Sequence, residues 1–335
     1  METRKIILLG SSTFVVSLPK RWIESNKLKR GDTLFLDAQR GSSLTVHPST
    51  PKREPRETTI NVDKNEEEET LTRKIISYYL NGYFSIRLLS KEIFTFKQRK
   101  AIRGIAGKLY LRVMTASPRE FLLQSLLDTS KIPTSTGIRR MHVIALSMCR
   151  DTFKAFEQQD ANLANAVISV DDDVDQFSYM LLRLLRNAVL DPTLADQMGL
   201  DVMDCFDCQT VVQRIEHVAD NAVNISQILI SLGRSGESLP SFLLEPILEA
   251  GKKACRMYEE ALKAYFIKDA ASANKVIDSQ AEIEKLNRGI IEKTTEEKRA
   301  TIVCATCSIR DSVTRIADYA TDIAEVTINQ VFGRE

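Results

Sequence analysis

The 335-residue sequence predicts a multidomain chain of α+β and all-α parts: an N-terminal β module, a small α+β connector and two duplicated three-helix bundles. Three observations predict it. Residues 1–50 alternate short β-branched runs with Gly-Ser turns, the signature of small hairpins. Residues 57–130 mix strand-like and helix-like runs. From Ile138 onward apolar residues fall at helical spacing, and that pattern is written twice, over 138–235 and 241–332.

Composition bounds the function classes. Hydrophobic residues make up 43% and charged residues 27%, an ordinary globular balance. No apolar run reaches the ~18 residues of a membrane span. The N-terminus METRKIILLGSSTF has neither the apolar stretch nor the cleavage site of a signal peptide, so no membrane insertion is expected. Six cysteines in so long a chain make a poor disulfide framework, which points to the cytoplasm. Lys+Arg 46 against Asp+Glu 45 leaves a net charge of +1, so any charge argument must come from distribution.

The first module reads as strand, Gly-Ser turn, strand, short helix, Gly-Asp turn, strand, Gly-Ser turn, strand. Pro19 suits the first turn of a helix running to about Asn26. Gly31 supplies the positive φ needed before the Thr33–Leu36 strand. About 45 residues are too few to hold a core alone, so the module should form a homodimer. Within 1–50, Arg4, Lys5, Lys20, Arg21, Lys27, Lys29, Arg30 and Arg40 face only Glu2, Glu24, Asp32 and Asp37. Such a basic excess is the electrostatic footprint of a duplex DNA binder, although a solvated basic face would look the same. Pro51–Arg56, with two prolines and three basic residues, is a linker.

In the connector, Thr58–Val62 and Ser85–Leu89 are strands and Glu66–Asn81 and Thr95–Lys108 helices. The first helix opens on four glutamates, favourable at the positive end of its dipole, and Gly82 ends it. Two further strands fit between Tyr110 and Leu127. No pattern in this region points to chemistry.

The repeat is explicit. Ala145, Met148, Lys154, Ala155, Asp160, Ala161, Ala164, Asn165, Val167 and Ile168 recur 109 positions later. Val218-Ala219-Asp220 matches Ile316-Ala317-Asp318 at an offset of 98, so the first copy carries 11 extra residues. Leu190–Leu200, broken by Asp191-Pro192 and Gly199, is their place. Thr134 or Ser135 should cap the first helix, Asp160 the second, and Asp269 the second's counterpart. Val174, Phe177, Leu181, Leu184 and Leu185 are core.

Each copy also carries stacked carboxylates. Glu216, Asp220 and Asn224 lie at four-residue steps on one helix face, and Asp318 and Asp322 repeat the step. Asp171, Asp172 and Asp175 add to the first copy, and Glu284, matched to Asp175, adds to the second. In a partly buried groove such stacking is costly unless a cation neutralises it. Hard divalent ions accept several oxygen ligands from adjacent helices. The alternative is a solvated stripe paired with Arg214, Arg183 or Arg315. On the first reading a divalent or multinuclear metal (iron, manganese, zinc or magnesium) is the expected cofactor, and no organic one is.

The run Asp171-Asp172-Asp173-Val174-Asp175, followed by Glu216-His217-Val218-Ala219-Asp220-Asn221-Ala222-Val223-Asn224-Ile225 and repeated around Asp318 and Asp322, resembles the PhoU family of phosphate-signalling proteins. The resemblance spans about 200 residues. It implies two three-helix bundles, acidic motifs that carry metal clusters, and negative control of phosphate uptake, with phosphate ABC transporter components as partners. Thr314 stands where the family's leading acid would fall in the second copy. Ser17-Leu18-Pro19-Lys20-x-Trp22 and Leu28-Lys29-x-Gly31-Asp32 resemble the SpoVT/AbrB-like swapped-hairpin family. That match implies an intertwined dimer touching DNA through Arg4, Lys5, Lys20 and Arg21. The combination is similar to archaeal-type PhoU regulators.

Other motifs carry less. Cys205-x-x-Cys208 and Cys304-x-x-Cys307 lie within helical pattern and read as core, as do Cys149 and Cys255. His47, His142 and His217 form no triad, and no glycine-rich phosphate loop with a lysine occurs, so the chain reads as a regulator and not an enzyme. An accessory protein of a phosphate ABC transporter without DNA binding, or a two-metal phosphohydrolase, remain the alternatives.

Overall fold

A computed structural model describes residues 2–38, 44–48, 55–126 and 133–333. The described chain divides into two compact units, Met1–Glu54 and Pro55–Glu335. Arg40, residues 51–54 of the expected linker and the end of the connector at 127–130 lie outside the described residues.

In the first unit, β1 (Ile7–Leu9) pairs antiparallel with β2 (Thr13–Val15), and β3 (Phe35–Ala38) with β4 (Leu44–His47). The short helix α1 (Lys20–Ser25) lies between the hairpins. Pro19 occupies the N-cap, one place before the expected first turn, because its ψ of 128° is still extended. Gly31 takes φ 95° as its turn requires. Among the described residues of this unit none is buried. Ile6, Leu9 and Phe14 are 73%, 63% and 71% exposed, so the apolar residues of this unit lie at its surface.

The second unit begins with β5 (Glu57–Asn61), α2 (Glu68–Leu80), β6 (Ser85–Leu89), α3 (Phe96–Lys108), β7 (Leu111–Ala116) and β8 (Glu120–Ser125). The sheet order is β5-β6-β8-β7, with β5 and β6 parallel across the α2 crossover and the other pairs antiparallel. Leu71, Ile75 and Tyr79 of α2 and Ile102 of α3 pack on Ile86, Leu88, Phe121 and Leu123 of the sheet. A capping box starts α3: Thr95 Oγ1 accepts from the Gln98 amide at 3.1 Å, and Gln98 Oε1 accepts from the Thr95 amide at 3.1 Å. Thr95→Ala should therefore lower unfolding stability by about 1 kcal/mol in a urea titration.

The helical body follows. In the first copy, α4 (Thr134–Gln158), α5 (Ala161–Leu190) and α7 (Val202–Arg234) form the bundle, and α6 (Pro192–Met198) occupies the 190–200 stretch. In the second, α8 (Ser241–Ile267), α9 (Ala270–Asp278), α10 (Gln280–Thr294) and α11 (Ala300–Phe332) repeat it. The expected single second helix is thus interrupted at Ser279, whose hydroxyl donates to the Lys275 carbonyl at 3.0 Å. The turns between first and second helices are twins. Gln159 and Lys268 both adopt φ 54°, and Asp160 and Asp269 each accept two backbone amides at the helix start. Pro133, not Thr134 or Ser135, holds the N-cap of α4, because its ring fixes φ at −61° while ψ stays extended. Val174, Leu181, Leu184 and Leu185 are buried, with Phe177 packed partly buried against the core. One continuous apolar core runs through both copies, with α4 packed on α8 and α7 on α11.

The connector is docked on α5. Arg183, buried, donates to the carbonyl oxygens of Tyr79 and Tyr83 and lies over the Tyr79 ring at 4.5 Å. Arg186 donates to Asn81 Oδ1 at 3.1 Å. Gly82 sits in this joint at φ 85°, and a Cβ there would come within 2.3 Å of Asn187 Oδ1. Among the described residues no helix is long and apolar enough to cross a membrane.

Candidate functional site

Two acidic faces stand where the sequence places them. On the first, Asp171 and Asp175 project from α5 and Glu216 and Asp220 from α7, all partly buried. Burial and the neighbouring carboxylates push Asp171 up to about 6 and Glu216 up to about 7. Burial and Asp175 raise Asp220 as well, against the pull of His217. These groups therefore form one electrostatic cluster.

A cation already lies at its edge. Lys108 Nζ, from the last residue of α3, is 2.6 Å from Asp172 Oδ1 and 3.1 Å from Asp175 Oδ2. Burial alone would lower the lysine, but the bonds to these two aspartates drive it well above its ordinary value. The helix dipole adds to the fit, since Lys108 ends its helix. The connector thus supplies a chemistry-bearing residue that local pattern did not reveal, because the contact joins positions 67 apart.

The second face is held differently. Gln280 Nε2 donates to Asp318 Oδ1 at 2.7 Å, and burial with the Asp322 charge raises Asp318. Arg214, reaching across from α7, binds Asp322 at 2.6 Å. Glu284 is exposed on α10 and contributes to the field at Asp318. Thr314, in place of an acid, accepts from Asn287 Nδ2 at 2.8 Å.

Oxygen donors of this kind suit hard ions in type. Their arrangement does not fit one: among the described residues no three His, Cys, Asp or Glu side chains converge closely enough to hold an ion. Four-residue spacing sets a shared face, but the distance between facing helices decides convergence. The predicted metal set separates accordingly. Asp171, Asp175, Glu216 and Asp220 gather, Asp172 turns to Lys108, and Asp318, Asp322 and Glu284 form the second group. Asn224 belongs to neither. It lines a cavity of about 520 Å³ between α7 and α11 with Asn221, Ser308, Asp311 and Arg315.

All six cysteines are free thiols. Cys149, Cys205, Cys208 and Cys255 are buried as free thiols. Cys304 is exposed and Cys307 half-buried, which corrects the expectation of a core pair, because the outer face of α11 turns them toward solvent. His217 packs its ring against Tyr319 at 5.1 Å and brings Nε2 to 3.5 Å from Glu216 Oε2, at the cluster itself.

In the head, Arg4, Lys5, Lys20 and Arg21 are all exposed. Arg4 and Lys5 lead into β1, and Lys20 and Arg21 open α1. Arg4 pairs with Glu2, and Lys20 with Glu24 at 3.7 Å. Such exposed pairs are weak.

Comparison with known proteins follows the same division. The family model described as PhoU domain matches residues 138–229 and 247–327. The model described as antidote-toxin recognition MazE, bacterial antitoxin, matches residues 7–57. The phosphate-specific transport system accessory protein PhoU homolog of Clostridium acetobutylicum is 24% identical over 205 residues, 58% of this chain and 90% of the relative. The homolog named likewise from Pseudomonas aeruginosa is 26% identical over 216 residues, 58% of this chain and 83% of the relative. The crystal structure of PhoU from Pseudomonas aeruginosa superposes with a TM-score of 0.54 at 22% identity, covering 60% of this chain and 96% of that one. The phosphate transport system regulatory protein PhoU from Streptococcus pneumoniae gives 0.52 at 16%, covering 60% and 94%. Both superpositions establish the bundle fold of the helical body. With the family model spanning both halves of the duplicated bundle, the chain belongs to the PhoU domain family.

Proposed function

We propose that this protein regulates phosphate uptake, its helical body serving the phosphate-transport side and its head, paired with a second copy, binding duplex DNA. The observation that carries the reading is the union of two parts in one chain. A PhoU-domain body, of the kind found in relatives named as phosphate transport accessory proteins, follows a basic head in which none of the described residues is buried. The exposed apolar residues of the head favour a homodimer, which would also duplicate its cations, as a two-sided DNA contact requires. The likeness to a bacterial antitoxin domain supports that reading. Lys108 pairs with Asp172 and Asp175 and Arg214 with Asp322, and among the described residues no three acids converge on one ion, so no step is assigned to a metal, and the reading contains no catalytic step.

The test is fluorescence anisotropy of a labelled duplex with the full chain. Wild-type binding should fall steeply with salt. Lys20→Glu with Arg21→Glu should weaken it by about tenfold or more while leaving the melting of the 55–335 unit unchanged. DNA affinity indifferent to the double substitution would leave the body as a transporter accessory and the head as a dimerising device only. Adding inorganic phosphate should shift the affinity if the two parts are coupled.

A further inference from the structure

We propose that the seam between α4 and α8 holds a dianionic phosphoryl group, carried by inorganic phosphate or by a small phosphate monoester. A cavity of about 280 Å³ opens there, with Phe153 and Cys255 buried at its floor. Four cations border it. Arg150 and Lys154 stand one turn apart on α4, and Lys252 and Arg256 stand one turn apart on α8. The two helices approach closely because residue 251 is glycine, and a Cβ there would collide with the Phe153 ring.

Charge balance selects the ligand class. Arg150 binds Glu259 at 2.6 Å, and Lys252 binds Glu157 at 3.0 Å, which accounts for both acids lining the cavity. Glu259 is also shared with Lys263 at 3.2 Å. Burial would raise that carboxyl, but Lys263 and Arg150 hold it below its ordinary value, so it stays ionised and occupied. Lys154 and Arg256 are exposed and form no ion pair among the described residues. Arg256 lies in the field of Glu282, but Lys253 already binds that carboxylate at 2.6 Å. The cavity therefore keeps two uncompensated positive charges, one on each helix. A tetrahedral group with two negative charges would neutralise both, the guanidinium fork donating two parallel bonds and the ammonium a third. A single carboxylate would leave one charge unmatched. The Phe153 ring offers the rest of an ester an apolar surface.

Since α4 opens one copy of the repeat and α8 the other, one bound ligand would tie the two copies together and stabilise them. This deepens the reading of the body as the phosphate-responsive part and rests on it for the meaning of the signal. Its test reads the cavity rather than DNA affinity, so either can fail alone.

Inorganic phosphate and glycerol 3-phosphate are titrated calorimetrically into the full chain at constant ionic strength and pH 8, where the phosphoryl group is dianionic. At least one should bind saturably, one per chain. Phosphate binding as tightly as the ester assigns the free ion, and tighter binding of the ester assigns the monoester. Lys154→Gln with Arg256→Gln should weaken binding by about tenfold or more. Lys293→Gln, which removes an exposed charge outside the cavity, should leave it unchanged. Glu157→Gln, which frees Lys252, should tighten it by about threefold. The proposal is overturned if neither compound binds saturably to the unaltered chain, a result that depends on the folding of no variant. It is overturned equally by binding that survives the double substitution or that Lys293→Gln weakens to the same degree.

Discussion

Replacing Arg183 by methionine should lower the stability of the 55–335 unit by about 3 kcal/mol and loosen the connector before the bundles melt. The guanidinium satisfies the carbonyl oxygens of Tyr79 and Tyr83 and covers the fully buried Tyr79 ring. Methionine fills much of the volume but donates nothing, so the Tyr83 carbonyl loses its side-chain donor and the Tyr79 carbonyl keeps only backbone donors such as the Gly82 amide at 3.0 Å. Lysine restores charge without the planar fork and should recover only part of the loss. Chemical denaturation followed by amide exchange over 68–83 would locate the damage. A loss spread evenly through α7 and α11, with 68–83 no worse than the rest, would show that Arg183 does not tie the connector down.

Glu216→Gln should stabilise the protein at pH 8 by about 2 kcal/mol, or roughly 5 °C in melting temperature. The glutamate is pushed up to about 7, first by burial and then by Asp220, Asp175 and Asp171. Its raised value means the folded state holds the proton more tightly than the unfolded chain does. The associated stability is fully present below about pH 4.3, the unfolded value, and is lost as pH rises through about 7. The figure is discounted from the full shift because the carboxylate is still 29% exposed. Glutamine keeps the shape without the charge, so wild type and variant should melt together near pH 4 and diverge toward pH 8. Parallel curves across that range would mean the carboxylate is already compensated in solution.

Much of this architecture was legible in the order of residues. The recurring block from Ala145 to Ile168 announced a duplication, and Asp160 and Asp269 marked matching helix starts that the structure shows as caps. The interruption of α10 from α9 was not legible, because Ser279 differs from a helical residue only by a small adjustment at φ −68° and ψ −13°. The cap of α4 misled because threonine is a good capping residue, yet the preceding Pro133 decides where the helix begins. For the acidic faces, spacing of four showed which side chains share a stripe. It could not show that Lys108 and Arg214 would arrive from elsewhere, since both contacts depend on helix packing rather than local periodicity.

The twin turns at Gln159-Asp160 and Lys268-Asp269 bear on how the body is made. Each joins successive helices across very few residues, so bringing those helices together costs little closure entropy. Two nuclei can form along the chain, one in each half, without waiting for distant partners. During synthesis the earlier hairpin is complete while the later one is still unmade, and assembly ends with the two halves meeting along their shared seam.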